Sequence, residues 1–515
     1  MIDVTPLFRL YARRRAAVLR REDPAASQLR TLRRLLARAA ATRFGRDHDF
    51  ARIGDPAAFF ARVPLRRYED FWRDYWQHSF PRLVDCCWPG LVPFFAETSG
   101  TSTGATKFIP LSRAMLRSHR RAGLDLLVHH LVNRPRSRLF GGRHLLLGGS
   151  AALARRAPGV KSGDLSGIAA ATAPLWAKPF VFPPAPVARL GDWSARIARL
   201  VDIAPQAPIR SISGTPSWLL LFFDELFARY PERRPRLRDF FPDLELVVHG
   251  GVAFAPYERR FAEWLAAGRA ELREAYAASE GFIAAADRNP GEGLRLILGH
   301  GIFYEFVPVG ELDAPQPRRH WIGDIETGVD YAIAVTTCAG LFAYVVGDTI
   351  RLVSTNPPRL FVTGRLSYTL SAFGEHLTGE EVEAAIAAAA RDIAAGVRDF
   401  AIGALFPERQ GERGGHLVIV EFERPVAEPE RRRFAASVDR VLAERNLDYR
   451  AHRSGLAPLA LRVLPPGAFA RWMRRRGRLG GQNKVPRIIN DPELWRDLRD
   501  FAEASEPRAA RPYPQ

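Results

Sequence analysis

Residues 94–112 read FFAETSGTSTGATKFIPLS: an apolar run, seven hydroxyl and glycine residues from Thr98 to Gly104, a lone lysine at 107 and a second extended stretch. Three readings compete. In the first the segment is a phosphate cradle, where glycines let the backbone approach and turn its N–H groups inward, hydroxyls add donors and Lys107 supplies a compact charge. It is not the P-loop pattern G-x-x-x-x-G-K-[ST], because Gly104 precedes Lys107 by three residues and no hydroxyl follows the lysine. In the second, Gly100-Thr101-Ser102-Thr103-Gly104 is a G-x-S-x-G elbow that would make Ser102 the nucleophile of a serine hydrolase. An elbow runs from strand directly into helix, whereas Pro110 keeps FIPLS extended and a helix starts only near Ser112. HGGV at 249–252 resembles an esterase oxyanion motif, but it follows that serine instead of preceding it. The third reading is a plain glycine- and serine-rich surface loop.

Outward from this stretch, 515 residues are too many for one compact core and imply two or more domains. The three cysteines, Cys86, Cys87 and Cys338, are odd in number and include an adjacent pair, so neither a disulfide framework nor a spaced metal site is expected. A reducing cytoplasm fits best. Charges interrupt every apolar run, leaving no stretch of the roughly 18 apolar residues a membrane span needs, so neither export nor membrane insertion is expected. A formal charge of +19 raises a polyanionic partner, yet the excess is nearly all arginine, scattered along helical patterns such as 431–445 and not gathered with interleaved aromatics. Nucleic acid is therefore not expected. Lysine occurs only at 107, 161, 178 and 484, so a lysine that persists marks a place where a compact ammonium is needed.

Residues 1–80 show helical periodicity, as in ASQLRTLRRLLARAAATRFGR at 26–46, and read as a helical entry segment. From about 91 to 375 strands (HLLLGG, LELVVHGG, LRLILG, GIFYEFVPV, DYAIAVTT, LFAYVVGD) interleave with helices at 215–229 and 256–276, which argues for an α/β or mixed α+β domain with ligands at strand ends. The glycine- and proline-rich stretch 157–192 reads as an irregular surface excursion. Beyond Gly364 the order becomes strand 367–373, helix 379–394, strands 398–406 and 416–423, helix 428–445, strand 459–464 and helix 467–476, with Thr378 and Glu381 forming a capping box. This βαββαβ order predicts a small split-βαβ domain. The expected division is 1–370, a large domain of β-sheets flanked by helices, and 371–515, a small mobile one, with a hinge near Arg365.

Four further segments carry polar chemistry. ELVVHGGVAFAPYERRF (245–261) is a strand, a glycine turn at Gly251 and a helix, a shape that holds a flat ring against backbone. LREAYAASEGF (272–282) gathers Tyr276, Ser279 and Glu280 after a helix, where a ring, a hydroxyl and a carboxylate can meet a nucleotide and its metal. LFAYVVGDTIRL (341–352) ends a strand in Gly347-Asp348, a common way to offer a carboxylate to sugar hydroxyls. GGQNKVPR (480–487) puts Lys484 on a glycine-led loop. Taken singly, each is also a solvated loop, a turn or a basic surface.

Together with GRLSYTLSAFGEHLTGEEV (364–382), the order and spacing of these segments resemble the Gretchen Hagen auxin-responsive family of acyl acid amido synthetases, within the adenylate-forming superfamily, over roughly residues 35 to 490. The resemblance implies a carboxylate attacking the α-phosphate of MgATP, then an amine, with an amino acid expected, attacking the acyl adenylate. An acyl-CoA ligase shares the first step and stays as the alternative. By position, Thr98, Ser99, Gly100, Thr101, Ser102 and Lys107 would line the triphosphate. Gly251, Tyr276, Ser279, Tyr344 and Arg365 would belong to the nucleotide site, Glu280 would also be the Mg²⁺ ligand, and Asp348 would hold the ribose. Lys484, Lys107 and His376 would carry the catalytic charge. The chain departs from the family where Ala343 and Val345 replace arginines flanking Tyr344 and where His376 replaces a lysine. The helix after Ser112, with His119 and Arg120, is a candidate wall for the acyl pocket. ATP, Mg²⁺ and two small substrates are the expected partners of a cytoplasmic monomer.

Overall fold

A computed structural model describes residues 2–99, 106–251, 254, 257–266, 268–366, 370, 372, 377–406, 413–446, 449–450, 453, 456–477 and 484–505. The chain divides into two compact units, the first made of Met1–Ser99, Ala105–Val252 and Trp264–Thr363, the second of Gly364–Gln515 with Ala253–Glu263.

In the first unit an eleven-stranded sheet runs, in spatial order, Ile302–Pro308, Asp330–Thr337, Tyr344–Thr355, Pro358–Arg365, Leu294–Leu296, Gly281–Ala285, Glu271–Ala278, Leu246–His249, Ile209–Gly214, Arg143–Leu147 and Val181–Phe182. From Val181–Phe182 to Glu271–Ala278 neighbours are parallel, as helices between consecutive strands require, while the pairs from Glu271–Ala278 onward that carry Leu294–Leu296 and Asp330–Thr337 are antiparallel. A smaller sheet pairs Phe94–Ser99 with Thr106–Leu111 on one side and Val160–Gly163 on the other, with Ala154–Ala157 at its edge.

The entry segment is held by aromatic packing. Phe44 stacks on Phe342, ring centroids 5.0 Å apart, and on Phe71, 5.6 Å away, and all three are fully buried. At about 1.5–3 kcal/mol per buried ring this anchors residues 44–76 against the chain that leads into Tyr344. Arg66 N–H donates to Ala343 O (3.0 Å) and Val345 N–H to Arg66 O (2.9 Å), a short parallel bridge beside Tyr344. The cysteines are buried free thiols. Among the described residues no helix is long and apolar enough to cross a membrane.

Three expectations need correction. The helix expected over 256–276 is Glu258–Leu265 only, and Glu271–Ala278 is a strand. Ala, Glu, Arg and Leu favour helix locally, but pairing to Leu246–His249 on one side and Gly281–Ala285 on the other outweighs a propensity of a few tenths of a kcal/mol per residue. The strand expected to end at Asp348 continues to Thr355. The stretch 157–192 is no irregular excursion: Val160–Gly163 pairs parallel with Phe94–Ser99, Leu165–Ala171 is a helix, and Val181–Phe182 edges the large sheet.

In the second unit Val397–Leu405, Gly415–Phe422 and Ala460–Leu464 form a sheet in that order, backed by helices Gly379–Asp392 and Glu428–Arg445. Thr378 and Glu381 make the expected capping box. The strand expected over 367–373 lies mostly outside the described residues; Leu370 makes an isolated bridge to Leu377, and the sheet has three strands among the described residues. What joins the sheet edge instead is the end of the basic loop: Ile402 N–H donates to Arg487 O (2.7 Å) and Ile489 N–H to Ile402 O (2.9 Å). A further helix, Pro492–Ser505, buries Trp495, Leu498 and Ala502.

Candidate nucleotide-binding site

Phe94–Ser99 and Thr106–Leu111 pair antiparallel with Thr98 opposite Lys107 and Ser99 opposite Thr106, so the hydroxyl-rich segment joins two strands of a hairpin. The next helix, Arg113–Asn133, starts only after Ser112, whose Oγ accepts from Met115 N–H (3.0 Å). A strand that leads to a strand is not an elbow, so the context a Ser102 nucleophile needs is missing. Gly100, Thr101 and Ser102 themselves, and the Ser99 side chain, lie outside the described residues, as do His376 and the Arg365 side chain.

Lys107 does not stand alone. Its Nζ is 2.8 Å from Glu69 Oε1 and 5.0 Å from the Tyr68 ring centroid, and Phe108 N–H donates to the Tyr68 hydroxyl (3.1 Å). Burial pushes the Glu69 carboxyl up, but the Lys107 ammonium outweighs it and holds the group below the usual range. An incoming phosphate therefore competes with, or joins, an existing carboxylate partner.

The bulge in Tyr344–Thr355 places Asp348. Against Asp330–Thr337 the register runs Val345 opposite Ala334, then Thr349 opposite Ala332, leaving residues 346–348 across from Ile333 alone. Gly347 takes φ +93°, a left-handed value glycine adopts freely. Asp348, 6% exposed, accepts from the Tyr276 hydroxyl at 2.5 Å. Their strands stand four places apart in the sheet, about 19 Å if it were flat at the usual strand spacing. The sheet therefore curls to bring them together.

Ser279 and Glu280 form the two-residue turn between Glu271–Ala278 and Gly281–Ala285. A Cβ at Gly281 would lie 2.5 Å from Ile302 Cδ1, so any other residue there would make that side chain move. The Tyr344 hydroxyl donates to Glu280 Oε1 at 3.4 Å. Burial first, then the Glu280 and Glu69 carboxylates, push the Tyr344 phenol well up, so it keeps its proton and remains a donor. After Leu246–His249, Gly251 has φ +82°, and Gly250 lies so close to the neighbouring strand that a Cβ would meet Ala275 O at 2.0 Å.

The structure thus brings Tyr276, Asp348, Glu280 and Tyr344 into one cluster and ties Lys107 to it through Tyr68 and Glu69, which sequence reading missed. Their signal was the polar group RRYED at 66–70, set among aromatic residues of an apparently structural helical segment. Ala343 and Val345 are both buried, at 0% and 8% exposure, so arginines in these places would have to be buried as well. On the helix Arg113–Asn133, Arg120 donates to Thr172 O, and burial takes the His119 imidazole down to about 4.

In the second unit Lys484 is half-buried and its charge works against the burial that raises Glu383. Its neighbour Arg487 donates to the Tyr257 hydroxyl (2.7 Å), pairs with Asp399 and lies 3.9 Å from Glu383 Oε1. Sequence reading missed this arginine although it ends the quoted GGQNKVPR motif.

The chain is similar to known proteins in sequence and in fold. Family models described as the GH3 family N-terminal, central and C-terminal domains match residues 16–199, 295–365 and 380–493. A probable indole-3-acetic acid-amido synthetase GH3.9 of Oryza sativa subsp. japonica is 27% identical over 293 residues, 52% of this chain; the match spans 65% of that relative's length. The solved GH3.15 acyl acid amido synthetase superposes with a TM-score of 0.76 at 19% identity, covering 92% of this chain and 93% of that one. A 2-hydroxyisobutyryl-CoA ligase in the postadenylation state gives 0.63 at 19% identity, with 94% and 93% covered. At these identities the structural likeness is one of fold.

Proposed function

This chain belongs to the GH3 family, and we propose that it is an ATP-dependent acyl acid amido synthetase, joining a carboxylic acid to an amine, with an amino acid as acceptor, through an acyl adenylate. The observation that carries the reading is the cluster of Tyr276, Asp348, Glu280 and Tyr344, drawn from two distant motifs into one place with the phosphate-loop strand tied to it.

In this reading Asp348, fixed by Tyr276, accepts hydrogen bonds from the ribose hydroxyls of ATP. The backbone at Gly250 and Gly251 lies along the base, and Lys107 turns from Glu69 toward the phosphates. No side-chain nucleophile is needed: the acid's carboxylate attacks the α-phosphorus, pyrophosphate leaves, and the amine then attacks the acyl carbon and expels AMP. Orientation of the two reactants and neutralisation of charge on the leaving group supply the rate. Among the described residues no cluster of three or more His, Cys, Asp or Glu gathers to hold a metal. One hard carboxylate at Glu280 beside a triphosphate does fit Mg²⁺, which takes one or two carboxylates and completes its shell with phosphate oxygens and water. When bound, the ion supplies charge neutralisation on the phosphates.

Pyrophosphate release across a panel of carboxylic acids, followed by an acceptor panel of amino acids, CoA and water, tests the reading. Acid-dependent pyrophosphate with amide as product supports it; thioester as product would make the chain an acyl-CoA ligase. Asp348→Ala should weaken ATP binding by about 1.5–3 kcal/mol, the scale for losing a hydrogen bond to a charged group. Lys484→Ala should slow adenylation about 10²- to 10³-fold with little change in ATP affinity, and chemically prepared acyl adenylate should restore amide formation.

A further inference from the structure

The helix Trp193–Ile203 buries Trp193, Arg196, Ile197, Leu200 and Val201, the i, i+3, i+4, i+7, i+8 stripe of an amphipathic helix with an arginine in one core-facing place. Arg196 is 4% exposed. A guanidinium buried so deeply normally faces a carboxylate, because taking a charge out of water is costly unless it is paired. Among the described residues Arg196 makes neither a hydrogen bond nor an ion pair, and its Nε is enclosed without an acceptor. What fixes it is a stack: its Cζ lies 4.8 Å from the Trp193 ring centroid, and Trp193 in turn lies 4.5 Å from Trp218. Stacking sets the plane of the guanidinium but brings no counter-charge. Burial accordingly lowers its pKa, with the charge of Asp164 acting the other way.

Arg196 borders a cavity walled by Leu146, Leu147, Val181, Phe182 and Leu200. The cavity is small, about 30 Å³, so its interior takes a narrow group. Its position follows from the topology. Arg143–Leu147 and Val181–Phe182 are parallel neighbours, and the cavity lies where both strands end, the place where open parallel sheets bind ligands. Gly148 and Gly149 let the next elements close over it, since a Cβ would lie 2.4 Å from Ser166 Oγ at the first and 1.9 Å from Asp164 Oδ2 at the second.

We propose that this cavity is a small-ligand site in which Arg196 anchors the carboxylate of a molecule with an apolar body. An apolar wall around a fixed guanidinium that no acid among the described residues hydrogen-bonds recognises that combination, and a carboxylate can meet the guanidinium with two parallel hydrogen bonds. Under the synthetase reading, on which this part rests, the ligand is either the acid to be activated or the amino-acid acceptor held by its α-carboxylate.

The test compares each carboxylate with its uncharged amide: 3-methylbutanoate against 3-methylbutanamide, and L-leucine against L-leucinamide, titrated calorimetrically into the full chain. The wild type should prefer the carboxylate of at least one pair by about ten- to a hundred-fold, the value of a charged hydrogen bond. Arg196→Met should lose that preference while binding ATP as before, and Arg196→Lys, which keeps the charge but not the fork, should retain part of it. In turnover, a KM rise of similar size for the acid alone identifies the acyl substrate, and for the amine alone the acceptor, the loss lying in KM and not in kcat. No preference in the wild type for either pair, or a preference that survives in Arg196→Met, overturns the proposal. A wild type that releases no pyrophosphate with any acid overturns the synthetase reading instead, and the binding comparison still decides the role of Arg196.

Discussion

Arg487 and Arg196 are buried to nearly the same degree, 8% and 4% exposed, and each stacks on an aromatic ring, Phe400 at 4.4 Å and Trp193 at 4.8 Å. Their surroundings are opposite. Arg487 pairs with Asp399, donates to the Tyr257 hydroxyl and feels Glu383, and these partners raise its pKa against the burial that lowers it. Arg196 has no such partner among the described residues, and burial lowers its pKa. One lies inside the GGQNKVPR segment singled out from the sequence and is fully engaged within its own unit. The other lies in no quoted motif and, among the described residues, has no hydrogen-bonded acid, with only the more distant charge of Asp164 opposing its burial. Membership in a motif therefore does not by itself mark a group that meets ligand, whereas a buried charge lacking a counter-charge does, because the fold alone gives no reason to keep it.

The comparison is broken most directly by removing each charge. Arg487→Met should destabilise the second unit by about 3–5 kcal/mol, since it strands Asp399 and Glu383 in the interior. A chemical denaturation curve that barely moves would show that the partners do not need it. Glu383 sharpens the point through pH. Burial takes its carboxyl up to about 7, and Arg487 and Lys484 hold it back from rising further. A carboxyl whose folded value is raised binds more protons folded than unfolded, so its destabilising contribution is absent below about 4.5 and grows to full size as pH rises through 7. Glu383→Gln should remove up to about 3 kcal/mol of that pH dependence, read as stability measured from pH 4.5 to 8. The smallest effect is expected at Arg196: Arg196→Met should leave stability unchanged or raise it by about 1 kcal/mol, because a methionine fits an apolar wall without desolvating a charge. A loss of several kcal/mol would mean that the guanidinium is as engaged as Arg487.

The same physics explains what could be read before the fold. The extended stretches on either side of the hydroxyl-rich loop, the helix start at Ser112 and the capping box at Thr378 were legible, because proline, N-cap and box signals are local, whereas the pairing of the two stretches was not read. Tyr276 and Asp348 were legible as residue types but were set at a helix end and a strand end, whereas Glu280 was expected after the helix and does lie in a turn. Pairing to the strands on either side made the first a strand, and a bulge made the second an interior position. Tyr68 and Glu69 were missed because Lys107 reaches them across some 40 residues of chain. Arg196 was readable in principle, as an arginine interrupting an apolar stripe, but nothing local says that no carboxylate faces it.

In the proposed function the Tyr276, Asp348, Glu280 and Tyr344 cluster supports adenylation of a carboxylic acid. Exchange of labelled pyrophosphate into ATP measures that step alone, without an acceptor. The account predicts exchange in the wild type that requires both a carboxylic acid and Mg²⁺, and a fall of about 10²-fold or more in Glu280→Gln, where the carboxylate is lost at nearly constant size. Exchange that proceeds equally well in Glu280→Gln would remove the cluster from the chemistry, and its absence with every acid in the wild type would contradict the account as a whole.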